Sequence, residues 1–110
     1  MSVDQERSID FVNVDKESND LWLTISDHLP WGGDEGHHLL LLQNKLNAYM
    51  SFIESGELLT KVPDAKGRRI VINIAGKFPL SRNAEAFFRK AKSAVEDAGF
   101  RLQFSLTQTI

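Results

Sequence analysis

A chain of 110 residues with 42% hydrophobic and 25% charged side chains, no cysteine and a net charge of −2 has the composition of one globular domain. Disulfide scaffolds, cysteine-ligated zinc and thiol catalysis are excluded, and the charge gives no bulk attraction to nucleic acid. No apolar run approaches the roughly 18–20 residues of a membrane span, and the polar start MSVDQERS lacks a signal-peptide core.

Residues 1–7 read as a loose tail ahead of a single domain over 8–108. The stretch SIDFVNVD (8–15) is rich in β-branched and aromatic residues and predicts a first strand. KESND supplies turn chemistry. LWLTISD (21–27) then alternates, with Leu21, Leu23 and Ile25 on one side and Trp22, Thr24 and Ser26 on the other. The two strands predict a hairpin.

Pro30, Gly32 and Gly33 break the chain before a helix expected over residues 35–55. Its apolar stripe is Leu39, Leu42, Leu46, Tyr49 and Ile53, and Gly56 sits where a left-handed C-cap belongs. ELLTKVPDAKGR (57–68) reads as the longest irregular stretch. RIVINIAG (69–76) is a third strand, with Ile70, Ile72 and Ile74 on one face. Ser81 is placed to cap a second helix, about 82–98, which Gly99 ends. RLQFSLTQ (101–108) closes the set as a fourth strand.

The order ββαβαβ predicts a two-layer α/β (α+β) fold with a four-stranded mixed sheet. Each strand–helix–strand step makes its strands parallel, and right-handed crossovers running in one direction put both helices on one face. The other face would hold Trp22, Asn73, Arg101 and Gln103, which are the expected interface residues. A tryptophan on a polar sheet face suits a partner or a second subunit, although cross-strand packing against Phe11 or Val12 is an alternative use of it. One Trp and one Arg are too few for the stacking platform that binds single-stranded RNA, so nucleic acid is not an expected partner. The two halves of the chain differ in charge: residues 1–55 hold ten Asp/Glu and three Lys/Arg, residues 56–110 five and ten. Attraction between them within one fold is the favoured reading.

The segment SDHLPWGGDEGHH gathers all three histidines of the chain near three acidic groups. His28, His37, His38 and Asp34 are its candidate metal ligands. The spacing argues against them: zinc-binding helices place His at i and i+4, whereas His37 and His38 are adjacent and about 100° apart. Asp34 explains itself as an N-cap and Glu35 as a first-turn acid. No cofactor is expected, since P-loop, GxGxxG and GxSxG patterns are all absent.

Three stretches, NDLWLTISDHLPW, LLLLQNKLNAYMSFIESGEL and IVINIAGKFPLSRNAEAFFRKAKSAVEDAGFRLQF, resemble a family of short bacterial proteins classed as a domain of unknown function. The carriers are Asp27-x-Leu29-x-Trp31, the run from Gln43 to Tyr49, and Phe52 to Gly56. The resemblance covers about residues 9–106, implies one bacterial α/β domain and implies no activity. Gln43, Lys45, Asn47 and Tyr49 lie on and beside the polar flank of the first helix. Gln43, Asn47 and Tyr49, with Lys77 at the end of the third strand, form the expected binding edge.

Two functions are carried forward. The first is a small cytoplasmic interaction or regulatory module, able to form a homodimer through the open sheet face. The second is a small-molecule or metal-binding enzyme built on the Asp27–His38 segment. The balance leans away from an enzyme.

Overall fold

A computed structural model describes residues 11–107. The tail expected over 1–7 and the ends of the first and fourth expected strands lie outside the described residues. The elements are β1 (Phe11–Val14), β2 (Leu21–Asp27), α1 (Glu35–Glu54), α2 (Glu57–Lys61), β3 (Ile70–Gly76), α3 (Arg82–Asp97) and β4 (Arg101–Leu106). They form one four-stranded sheet in the order β1-β2-β3-β4, with β1 antiparallel to β2 and the other two pairings parallel. This is the ββαβαβ mixed sheet that the alternation predicts.

Register explains the layering. Leu23, Ile72 and Leu102 lie side by side across β2, β3 and β4, and each is buried. Ile25, Ile74 and Phe104 form the next row on the same face. Leu42, Leu46 and Tyr49 of α1 and Val95 of α3 join these residues in one apolar cluster, so both long helices cover that side. Gly76 is where a side chain does not fit: a β-carbon there would lie 2.6 Å from Cε1 of Phe104.

The stretch expected to be irregular after α1 is helical in two short pieces. Gly56, in the left-handed region at φ +86°, stops α1 and starts α2, and Pro63 opens a single 3-10 turn, Pro63–Ala65. Leu58 and Ala65 enter the core from these pieces, each 2% exposed. Turn residues marked the ends correctly, but five residues are too few for helical periodicity to register.

The far face of the sheet is less bare than the alternation suggests. Asn13, Trp22, Val71 and Arg101 form one row there, and Thr24, Asn73 and Gln103 the next. Val71 and Asn73, on the inner strand β3, are buried. Among the described residues no helix packs on this face, and no helix is long and apolar enough to cross a membrane.

Candidate functional site

The C-terminal ends of the parallel strands β2 and β3 meet the N-termini of α1 and α3. Asp27 is the last residue of β2 and shares the inward phase of Leu21, Leu23 and Ile25. It is therefore buried, at 3% exposure, as is His38 near the start of α1. Nε2 of His38 lies 2.8 Å from Oδ1 and 2.7 Å from Oδ2 of Asp27, so the Nε2–H donates to the carboxylate. Oδ1 also accepts the Leu29 N–H at 3.1 Å, and the Lys77 N–H donates to the Asp27 carbonyl at 2.9 Å. The Trp31 indole stacks on the imidazole, with centroids 3.6 Å apart and planes 16° from parallel. The other imidazole nitrogen, Nδ1, is buried and has no hydrogen-bond partner among the described residues.

A second contact ties the two helix starts together. Ser81, the N-cap of α3, accepts the Ala84 N–H at 3.1 Å and donates its hydroxyl to Glu35 in the first turn of α1. The Asn83 amide donates to the other oxygen of Glu35 at 2.8 Å. The Ser81 hydroxyl first and the Asn83 amide second hold the Glu35 carboxyl below its ordinary value, against a smaller opposing effect of burial. The clamp therefore contributes fully above the unfolded-state pKa of Glu35 and is lost as pH falls through the lower folded-state value. Urea midpoints of the wild type and Glu35→Gln should differ by a constant amount near neutral pH. That difference should shrink on acidification below the ordinary glutamate range, and a pH-independent difference would remove the clamp from the account.

The remaining site residues scatter. His28, His37 and Asp34 are exposed, and Asp34 caps α1 by accepting the His37 N–H at 3.0 Å. No group of three or more His, Asp or Glu among the described residues is arranged to hold a metal ion. Tyr49 does not lie on a binding edge: it is fully buried, and its hydroxyl donates to the Thr24 carbonyl at 3.0 Å. Lys45 is likewise fully buried, its ammonium 5.7 Å from the Tyr49 ring centroid, where the sequence placed it near the polar flank. Gln43 and Asn47 are exposed and line a groove of about 540 Å³ between α1 and α3, with Met50 and Phe87 among its walls. Lys77 is exposed at the end of β3, its ammonium 5.7 Å from the Phe78 ring centroid.

On the far sheet face Trp22 is half-buried, and its indole N–H has no acceptor among the described residues. Asn73 accepts the Ser105 hydroxyl at 3.1 Å, Gln103 is half-buried and Arg101 is exposed. At the base of the sheet Arg69 pairs with Asp20 at 2.9 Å, and this hydrogen bond holds the Asp20 carboxyl below its usual value.

The Asp27–His38 pair is the feature that spacing rules missed. Two signals pointed to it: Asp27 keeps the inward phase of β2, and His38 precedes the buried Leu42 by one helical turn. Comparisons with curated proteins and with solved structures gave no match. The family comparison did, over residues 1–108, and the chain belongs to the Family of unknown function (DUF6572).

Proposed function

We propose that the chain is a protein-interaction module that pairs with a second copy through the sheet face turned away from α1 and α3. The observation that carries this is the aromatic half of that face. Phe11 is 57% exposed on the edge strand β1, and Trp22, diagonal to it on β2, is half-buried. Large aromatics are the usual anchors of protein interfaces. Arg101 and Gln103 sit at the opposite lateral edge of the face. A two-fold axis through the face would let one aromatic half meet the other while the polar halves form a rim.

The test is the mass in solution. Wild-type protein should scatter light as a dimer and Trp22→Arg as a monomer with unchanged circular dichroism. A wild type that stays monomeric at every concentration, or a variant that stays dimeric, would end this reading.

A second reading is a small-molecule site at the end of β2. It is favoured by one observation, the buried Nδ1 of His38 that nothing among the described residues satisfies.

A further inference from the structure

We propose that His38 Nδ1 is the proton-accepting atom of a closed small-molecule site, with Trp31 as its lid and Asp27 as its positioning residue. The proposal rests on the second reading above and supplies its ligand chemistry and its gate.

Asp27 decides which nitrogen can act. Both carboxylate oxygens lie within 2.8 Å of Nε2, so that nitrogen keeps its proton. In the neutral ring the lone pair is then on Nδ1, and the adjacent carboxylate pushes electron density toward it, which makes it a better nucleophile. A buried acceptor without a partner is destabilising, and native structures rarely leave one without a use. Here it lies in a ring covered by an indole.

The cover is built to move. Trp31 is followed by Gly32 and Gly33, both exposed; Gly33 has φ +83°, and a β-carbon at either would meet nothing within 4 Å. Pro30 ahead of it is exposed as well. Asp27 and His38 are fixed by β2 and α1, whereas the indole is set on a loop with free space around its glycines. Trp31 also packs partly buried against the core, so opening the lid lifts the indole off that edge while Asp27 and His38 stay on β2 and α1.

The ligand class follows from the exposed atom. Nδ1 accepts a hydrogen bond, so the ligand is a small molecule presenting a weakly acidic O–H or N–H. On transfer the proton passes to Nδ1, the ligand keeps the bonding electron pair, and the imidazolium is left facing the Asp27 carboxylate.

Diethylpyrocarbonate labelling, read by peptide mass spectrometry on the full chain, tests this without knowledge of the ligand. The imidazole nitrogen bonds to a carbonyl carbon of the reagent, whose C–O bond breaks to release ethyl carbonate. His28 and His37 are exposed and serve as internal references. Buried Lys45, which the same reagent attacks when exposed, reports loss of the fold.

In the wild type His38 should label far more slowly than the two references. In Trp31→Ala its rate should rise about tenfold or more while Lys45 stays protected. Trp31→Phe, which keeps a stacking ring, should preserve the slow rate. Adding Asp27→Asn to Trp31→Ala should slow the reaction again, because the carboxylate charge behind the ring is gone. Fast labelling of wild-type His38, no acceleration in Trp31→Ala, or acceleration only together with Lys45 would each overturn the lid. Equal rates in Trp31→Ala with and without the added Asp27→Asn change would overturn the positioning role. None of these results depends on whether the protein is a dimer.

Discussion

Asp27→Ala is expected to lower stability by about 1.5–3 kcal/mol, the range for removing the charged partner of a buried hydrogen bond. Asp27 and His38 are each 3% exposed, so the imidazole left behind has no water to replace the carboxylate. The Leu29 N–H loses its acceptor too, which loosens the start of the loop that carries Trp31. Urea unfolding followed by circular dichroism gives the number. The double change Asp27→Leu with His38→Leu should recover part of the loss, because two apolar residues leave no orphaned polar group. A single variant within about 1 kcal/mol of wild type would place the pair at the surface in solution, contrary to its burial.

Ile72→Ala is expected to cost about 2–5 kcal/mol through the transfer of its lost methyl and methylene groups and the cavity left behind. Ile72 is fully buried in the inner strand β3, with Leu23 on one side and Leu102 on the other. Neither neighbour can collapse into the space without dragging its strand. Val12 pairs with Leu23 at the outer end of the same row and is 38% exposed, so Val12→Ala should change stability by no more than about 1 kcal/mol. Thermal or urea unfolding of the two variants side by side checks both the magnitude and the contrast. Equal losses would mean that burial does not grade along the row.

The sheet was readable in the sequence because its side chains alternate with a period of two and its turns carry glycine and proline. Leu21, Leu23 and Ile25 announced the inner face of β2, and Ser81 with Gly99 bracketed α3. The inner face of α1 was only half readable. Its buried positions are His38, Leu42, Lys45, Leu46 and Tyr49, and a search for apolar residues passes over two of the five. Polar residues enter a core when a partner waits for them, and the partner of His38 lies on another element, eleven residues earlier in the chain. Sequence pattern reports the period of an element. It does not report which side chain on a neighbouring element completes a hydrogen bond. The Glu35–Ser81–Asn83 clamp was hidden for the same reason, since it joins residues more than forty positions apart.

The strand order β1-β2-β3-β4 repeats the order of synthesis. Every strand is added to an edge already in place, and none must be inserted between two that formed earlier. A chain emerging from a ribosome can thus lay down its sheet by accretion, each crossover helix arriving before the strand it delivers. The histidine and aspartate joined at the end of β2 would then be in contact before β3 exists, making that junction an early fastening of the nascent domain.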